Sequence, residues 1–374
     1  MEFDAAILHT RLTAGFRHDN REDGGVKTGE KSVAGNFMKV YEIRQFGIEN
    51  LTLADRETPQ PKTNEVVVKF HAFSLNYRDL MLVEGRYNPR TKFPAIPFSD
   101  GAGEIAAVGD GVTKWKVGDR VCPIFMQGWS DGKLSAEKSR TTLGGGGDWD
   151  GVLREFGTFN EQGVVKIPEH LSFEEAATLP CAGVTAWNTL AVSGNLKAGE
   201  TVLTQGTGGV SIFALQFAKL FGARVIATSS SDEKLARVKE LGADEMINYK
   251  TRDDWDKAVL EITAKRGVDH VVEVGGTGTM AKSVNAVSAG GHIAVIGVLT
   301  TSGDFNPISI LMKAVRMQGI LVGSREMFEE MNRAIEVNKL KPVIDKVFEF
   351  RGVREALKYM ESGAHFGKIV VRMP

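Results

Sequence analysis

The sequence has few cysteines, no strong excess of charge of either sign and no long apolar run. Only two cysteines occur in 374 residues, which excludes a disulfide framework or a four-cysteine zinc lobe and favours a reducing, cytoplasmic location. The net charge of -1 gives no overall field that would attract nucleic acid. No window approaches the roughly 18 apolar residues needed to cross a bilayer, so we expect no membrane partner. A small-molecule partner is therefore favoured.

Residues 1–37 are rich in Arg, Asp, Glu, Gly and Lys and lack an apolar segment, which predicts a disordered leader. An organellar transit peptide is an alternative, although Glu22, Asp23 and Glu30 do not fit the acid-poor composition of such peptides. A cloning remnant or an upstream start codon agrees better with this composition.

The rest of the chain predicts two domains, since 42% hydrophobic and 25% charged residues suit a globular protein with two cores. Short β-type runs separated by Gly, Pro and Asp fill residues 38–167 and predict a β-rich, barrel-like domain. Residues 168–316 alternate strand and helix patterns, for example at 201–204 and 210–221, which predicts a parallel sheet with helices on both faces. The mixed pattern of residues 317–374 indicates that the tail returns to complete the first domain.

A glycine-rich turn follows the first strand of the second domain. The turn consists of Gly206, Thr207, Gly208, Gly209 and Val210. Such a turn lets the backbone approach a pyrophosphate, and the N–H groups at the start of the next helix would hold the phosphates. Ser211 stands where the third glycine of the usual fingerprint belongs, but the strand–turn–helix context supports a dinucleotide site.

The residues after the second strand of this domain favour NADP(H), with NAD(H) left open. A chain that binds NAD usually has an acid about 20 residues after the glycines, which accepts hydrogen bonds from the ribose. Here the strand ends in hydroxyl side chains that include Ser229 and Ser230, and Lys234 follows, so a 2′-phosphate could be bound and neutralised. Alternatively, Ser231 or Asp232 only caps the next helix and Lys234 is solvated.

Several short motifs occur in an order that matches a known family. They are Asn76-Tyr-Arg-Asp79 with Gly85 and Tyr87, Asp-Gly-Ala-Gly at 100–103, Ala-Gly-Val-Thr-Ala at 182–186 and Gly-Lys-Ile-Val-Val at 367–371. With these motifs and the glycine turn, residues 38–374 resemble the medium-chain dehydrogenase/reductase superfamily, and within it the zinc-free quinone oxidoreductase branch. The resemblance implies an α/β fold, with a Rossmann doubly wound parallel sheet plus a GroES-like β-rich catalytic domain. It also implies a homodimer formed by pairing Rossmann sheets edge to edge.

The resemblance also bears on the metal content. Zinc members of the superfamily bind catalytic zinc with Cys, His and Cys, and at the corresponding positions this chain has Asn76, Ser99 and Cys181. Since amides and hydroxyls bind zinc poorly, we expect no zinc, and Cys181 is either a small apolar side chain or a reactive thiol. Without a Lewis acid to deprotonate an alcohol, reduction of a quinone or an α,β-unsaturated carbonyl is the more natural chemistry.

The resemblance places the predicted catalytic residues in the first domain. Asn76 would donate a hydrogen bond beside the nicotinamide, and Tyr87 would donate to the acceptor oxygen or supply a proton. Asp79 would position these groups. The local alternatives are that Asp79 only caps its helix or pairs with Arg78, and that Tyr87 only packs.

The resemblance further assigns residues to the cofactor. Thr185 would lie near the nicotinamide, Tyr249 and Lys234 near the adenosine phosphate, and Phe366 and Lys368 across the cofactor where the tail folds back.

Residues 130–151 predict a mobile loop around the glycine run at 144–147. Trp129 and Trp149 flank this run, and they either wall the acceptor pocket or pack against the glycines.

These features together predict an NAD(P)H-dependent, zinc-independent oxidoreductase that transfers hydride to a quinone or an α,β-unsaturated carbonyl. A zinc-free NAD(P)-dependent alcohol dehydrogenase is the nearest alternative. A protein of another class, which binds the cofactor in a structural role without turnover, is also left open.

Overall fold

The computed structural model describes residues 36–297, 299–300 and 306–374. The strands are β1 (Phe37–Ile43), β2 (Leu51–Glu57), β3 (Glu65–Ser74), β4 (Asp100–Val108), β5 (Arg120–Pro123), β6 (Phe156–Asn160), β7 (Val164–Lys166), β8 (Thr201–Gln205), β9 (Arg224–Ser229), β10 (Glu245–Asn248), β11 (Val268–Glu273), β12 (Val287–Val295), β13 (Arg316–Gly319), β14 (Ile344–Glu349) and β15 (Lys368–Arg372). The α-helices are α1 (Tyr77–Val83), α2 (Ala136–Ser139), α3 (Phe173–Ala176), α4 (Val184–Trp187), α5 (Gly209–Leu220), α6 (Asp232–Glu240), α7 (Trp255–Ile262), α8 (Thr277–Ala286), α9 (Ile308–Lys313), α10 (Arg325–Asn338) and α11 (Val353–Glu361). The leader predicted at residues 1–37 lies outside the described residues except at its last two positions, and Phe37 already begins β1.

The second domain is built on a parallel sheet in the strand order β10-β9-β8-β11-β12-β13. All five strand pairings in it are parallel, and the order is that of a Rossmann fold. Every residue of β8 is buried, as expected for a central strand that helices cover on both faces. The prediction of a Rossmann doubly wound sheet is therefore confirmed.

The first domain contains a mixed sheet in the order β14-β15-β3-β4-β5-β7, with β6 also paired to β3. The tail strand β15 pairs antiparallel with β3, so the C-terminal segment contributes a strand to the sheet of this GroES-like domain. The predicted domain boundaries stay predictions, although the parallel sheet reaches Gly319 through β13, past the predicted boundary at 316/317. None of the described helices is long and apolar enough to cross a membrane.

The two sheets meet where the tail passes the glycine turn. Gly367, just before β15, forms a parallel bridge with Gly208, and its N–H donates to the carbonyl of Thr207 over 2.9 Å. Apolar side chains of both domains share one core cluster, which includes Val370 of β15 and Phe217 of α5. The carboxyl end of β8 is therefore fixed against the end of β3 and the start of β15.

Candidate active site

The glycine turn has the backbone geometry that a dinucleotide needs. Gly206 has φ of +68°, in the left-handed region that favours glycine. The first turn of α5 follows, and its N-cap Gly208 has no side chain to cap the free N–H groups. Ser211 stands at the position of the third glycine in the usual fingerprint. The turn accommodates this side chain, since its hydroxyl points inward and donates to the carbonyl of Gln205 over 2.6 Å. The turn therefore fits a pyrophosphate.

A buried lysine lies directly beside this turn. Lys368 is 3% exposed, and its Nζ donates to the carbonyl of Leu75 and to Oδ1 of Asn76, each over 2.6 Å. A Cβ added to Gly209 would lie 2.6 Å from Cδ of Lys368, so glycine is required there for the lysine side chain to pass. Lys368 therefore joins the glycine turn to the end of β3.

Asn76, which the sequence predicts as catalytic, is the N-cap of α1 and is 8% exposed. Its backbone N–H donates to Oδ2 of Asp79 over 2.8 Å. Its Oδ1 accepts from Lys368, whereas its Nδ2 is buried and has no hydrogen-bond partner among the described residues. The Asn76 side chain nevertheless helps to lower the pKa of the Asp100 carboxyl, so this carboxyl is an acceptor near its amide.

Asp79 is completely buried and takes part in the local contacts that the sequence offered as the alternative. It holds the start of α1 through Asn76 and lies 3.3 Å from Nη1 of Arg78. Desolvation raises the pKa of its carboxyl to about 6, and the charge of Arg78 only partly opposes that effect. Its predicted role in positioning the catalytic groups stays a prediction.

Asp100, Ser99 and Cys181 complete a polar group that we call the Lys368 cluster, together with Lys368 and Asn76. The Ser99 hydroxyl donates to Oδ1 of Asp100 over 2.8 Å, and the Cys181 N–H donates to Oδ2 over 3.2 Å. Nζ of Lys368 lies 3.9 Å from the same Oδ2. Burial raises the pKa of Asp100, with Lys368 opposing the shift.

The donors of the Lys368 cluster do not fit a zinc ion. The Asn76 oxygen faces an ammonium group, and the Ser99 hydroxyl gives its proton to Asp100. Cys181 is the one of the three corresponding positions that keeps a usual zinc ligand, and burial raises the pKa of its thiol, with the charge of Asp100 adding to the shift. Among the described residues, no three His, Cys, Asp or Glu side chains converge as a metal site would require.

Arg78 is a site residue that the sequence suggested only as a partner of Asp79. Its guanidinium lies 4.9 Å from the centre of the Tyr87 ring and 5.2 Å from that of Phe125. It also donates to the carbonyls of Leu143 over 3.1 Å and of Gly144. The glycine run of the loop predicted to be mobile is therefore packed against Arg78. Tyr87 is 42% exposed, and its ring lies against this guanidinium. The predicted donation from its hydroxyl to an acceptor oxygen stays a prediction.

The two tryptophans beside this loop differ in exposure. Trp129 is buried, and its indole N–H donates to the carbonyl of Gly132 over 2.9 Å. Trp149 is 40% exposed, and its carbonyl accepts from the N–H of Gly144 over 3.2 Å. The Trp129 indole thus bonds outside the glycine run and Trp149 contacts the run through its backbone, so both sequence interpretations of these side chains stay open.

Lys234, predicted to lie near the adenosine phosphate, is partly exposed and bonded to the tail. Its Nζ donates to the carbonyls of Gly363 over 2.8 Å and His365 over 2.9 Å. Partial burial lowers its pKa. The Ser231 hydroxyl caps α6 by accepting from the Lys234 N–H, as the local alternative predicted.

The remaining predicted cofactor residues lie on four segments of the chain. Ser229 is buried at the end of β9, and its carbonyl accepts from the N–H of the half-exposed Tyr249 over 3.0 Å. Thr185 is buried on α4. Phe366 is 1% exposed, and the guanidinium of Arg237 lies 4.0 Å from its ring centre. Ser230 is partly exposed and directly follows β9, so both serines lie at the carboxyl end of that strand.

A cavity of about 240 Å³ lies at the opposite, amino edge of the same sheet. His270 and His292 line it, with Nδ1 atoms 3.5 Å apart, and Glu200 accepts from His270 over 2.9 Å. The glycine turn lies at the carboxyl end of β8, so this cavity is separate from it. Ligands of open α/β sheets usually bind outside the carboxyl ends of the strands.

A Rossmann sheet, a GroES-like domain and a glycine turn beside a polar cluster define a nicotinamide-dependent oxidoreductase. Residues 62–169 match the family described as alcohol dehydrogenase GroES-like domain, and residues 209–337 match the zinc-binding dehydrogenase family. The chain is 42% identical over 335 residues to a zinc-type alcohol dehydrogenase-like protein of Schizosaccharomyces pombe, covering 87% of this chain and 96% of the relative. It is 30% identical over 338 residues to human quinone oxidoreductase, covering 88% and 94%.

A solved structure of an NAD-dependent alcohol dehydrogenase aligns with a TM-score of 0.82 at 33% identity, covering 90% of this chain and 100% of that one. The chain therefore belongs to the medium-chain dehydrogenase/reductase superfamily. It is an NAD(P)-dependent oxidoreductase.

Proposed function

We propose that the protein is an NADPH-dependent, zinc-independent reductase of quinones or α,β-unsaturated carbonyls. The Lys368 cluster carries this proposal, because Asn76, Ser99 and Cys181 stand at the positions that bind zinc in zinc-dependent relatives. Here Asn76 accepts from the Lys368 ammonium group, while the Ser99 hydroxyl and the Cys181 backbone N–H donate to Asp100. A site without a Lewis acid is poorly suited to deprotonating an alcohol. It is suited to an acceptor that is already activated toward hydride.

The residues divide into those that hold the cofactor and those that face the acceptor. The glycine turn and the first turn of α5 would hold the pyrophosphate, and Thr185 and Phe366 would flank the nicotinamide end. When bound, the nicotinamide supplies the hydride. Asn76 would donate through Nδ2 to the acceptor oxygen as negative charge develops on it, and Tyr87 would close the site from the solvent side.

The preference for NADP(H) over NAD(H) rests on the end of β9. Ser229 and Ser230 end the strand region, and no carboxylate occupies the position that would accept from a ribose. The nearest acid, Asp232, already accepts from the Asn248 amide over 2.7 Å. Lys234 would exchange its two tail carbonyls for a 2′-phosphate.

A homodimer in the cytoplasm completes the proposal. Among the described residues β13 has no strand on its outer side, and the adjacent α9 exposes Ile308, Leu311 and Met312. An open parallel edge beside apolar side chains favours pairing with a second copy. The two cysteines, Cys122 and Cys181, are both free, which agrees with a reducing compartment.

Initial rates of NADPH and NADH oxidation with a naphthoquinone, an enone and a simple aldehyde test the proposal. We expect NADPH to be consumed with the quinone or the enone. A Gly206→Val variant, which cannot adopt the left-handed turn, controls for contaminating activity. Turnover confined to the aldehyde would indicate a zinc-free alcohol dehydrogenase, and cofactor binding without any turnover would indicate a structural role.

A further inference from the structure

We propose that Gln205 and Glu273 are positioning residues that fix the glycine turn after β8 against the loop after β11, and with it the crevice in which the dinucleotide would lie. The proposal rests on the cofactor binding in the proposed function. It deepens that function by giving a task to two buried side chains that neither hold the pyrophosphate nor face the acceptor. They act on the cofactor through the backbone of the two loops.

The two residues end the strands at which the order of the parallel sheet reverses. From β8 the chain order runs outward through β9 to β10, and from β11 it runs the other way through β12 to β13. Ligands of open α/β sheets bind in the crevice outside the carboxyl ends of such a strand pair. The register pairs Val272 of β11 with Thr204 of β8. The next residues, Glu273 and Gln205, therefore stand side by side at this crevice.

The Glu273 carboxylate is completely buried, and among the described residues it forms no ion pair. Its Oε1 accepts from the N–H groups of Gly275 and Gly276 over 2.8 and 3.0 Å. The same oxygen accepts from the Thr279 hydroxyl over 2.6 Å. A buried carboxylate without a positive partner depends on such donors. The loop after β11 and the first turn of α8 are therefore held around Glu273.

The Gln205 side chain connects this carboxylate to β8. Its Nε2 donates to Oε2 of Glu273 over 2.8 Å and to the Ser283 hydroxyl over 2.7 Å, and that hydroxyl donates to the same Oε2. Its Oε1 accepts from the N–H groups of Val274 and Gly275, each over 3.4 Å. The amide therefore has its nitrogen toward acceptors and its oxygen toward donors, and only this orientation satisfies both sides.

The backbone of Gln205 holds the glycine turn. Its carbonyl accepts from the Ser211 hydroxyl in the first turn of α5 over 2.6 Å, and Gly206 begins the turn directly after it. One residue thus bonds to the loop after β11 with its side chain and to α5 with its carbonyl. A displacement of about 1 Å in a bound substrate can cost about 100-fold in rate, so a shift of this residue would reach the cofactor through the turn.

Glu273→Gln tests the proposal with little change of shape. It replaces one acceptor oxygen with an NH2 group, which then faces the Gln205 amide nitrogen or the N–H groups of the loop, donor against donor. We expect the dissociation constant for NADPH, measured by its fluorescence well below the unfolding midpoint of the variant, to rise by about tenfold. At saturating NADPH, kcat with a naphthoquinone should also fall by about tenfold or more.

Exchanging the two side chains is the matched rescue. In the double variant of Gln205→Glu and Glu273→Gln, the amide at position 273 can donate to the carboxylate at position 205 and can accept from the N–H groups of Gly275 and Gly276. The carboxylate at position 205 can accept from Val274 and Ser283. We expect this exchange variant to bind NADPH within about threefold of the native protein, because the two changes compensate each other.

Asp269→Asn controls for stability alone. Asp269 ties the same two strands at their amino ends, where its Oδ2 accepts from the N–H of Thr201 over 2.8 Å. This variant should lower the unfolding midpoint and leave NADPH binding unchanged. If Glu273→Gln does not fold, Thr279→Val takes its place, since it removes one donor to the carboxylate, and it should weaken NADPH binding by about threefold.

A Glu273→Gln variant that binds NADPH as tightly as the native protein would overturn the proposal. An exchange variant that regains stability but not NADPH binding would do the same, as would an equal loss of binding in Asp269→Asn. The expected changes in NADPH binding, found in a native protein that reduces no quinone or enone, would support the proposal and overturn the proposed function alone.

Discussion

The buried carboxyl of Asp79 makes stability depend on pH in a way that one substitution isolates. Burial raises its pKa from 3.8 to about 6 in the folded chain. Because the folded pKa is the higher one, the cost of ionisation is absent below about pH 4 and complete above about pH 6. The shift of about 2 units corresponds to about 3 kcal/mol, of which about 2 kcal/mol develops between about pH 4.5 and about pH 8.

Asp79→Asn keeps an oxygen that can accept from the Asn76 N–H but cannot ionise. The free energy of unfolding of the variant, relative to the native protein, should therefore rise by about 2 kcal/mol between about pH 4.5 and about pH 8. Urea unfolding at both pH values, followed by tryptophan fluorescence with refolding checked, measures this change. A difference that stays constant with pH would refute a raised pKa for Asp79.

Asp345→Asn is the matched control for that measurement. Partial desolvation raises the pKa of the Asp345 carboxyl, but hydrogen bonds from Tyr359 and Arg237 outweigh this effect and lower the pKa. The charged form therefore stabilises the fold above the unfolded pKa, and this contribution is lost only as pH falls through the lower folded value. The control should show no rise in relative stability between the same two pH values.

Three further substitutions test other parts of the account. Lys234→Met should lower kcat/KM for NADPH by about tenfold and leave the value for NADH nearly unchanged, whereas equal losses would mean that Lys234 only holds the tail. Gly209→Ala should destabilise the fold by about 1–3 kcal/mol in thermal unfolding, because its methyl meets Lys368. Gly208→Ala, whose Cβ would meet no protein atom within 4 Å, should weaken only cofactor binding, and equal melting losses in both variants would contradict this. Leu311→Lys with Met312→Lys should give monomers in sedimentation experiments while the equally exposed Val337→Lys stays dimeric, and an unchanged dimer would exclude this edge.

The fold could be predicted because its signals are local. The helix predicted at 210–221 is α5 at Gly209–Leu220, and the strand predicted at 201–204 is β8 at Thr201–Gln205. Both follow from runs of buried apolar residues with clear turn residues around them. The leader predicted at residues 1–37 lies outside the described residues except at positions 36 and 37.

The contacts of the site could not be predicted, because they join residues that are far apart in the sequence. Lys368 and Asn76 are 292 positions apart, and Lys234 and His365 are 131 apart. A motif can suggest that each residue belongs to a site, but it does not reveal that an ammonium group faces one end of an amide. The pKa of Asp79 likewise depends on residues distant in the sequence, since the charges of Asp100 and Lys368 act on its buried carboxyl.

Whether this oxidoreductase depends on zinc is decided by measuring its metal content together with its activity. Purified protein should contain far less than one zinc per chain by mass spectrometry, and its NADPH-dependent reduction of a naphthoquinone should be unchanged after dialysis against a chelator. Zinc at one per chain, with activity that chelator removes and added zinc restores, would contradict the account.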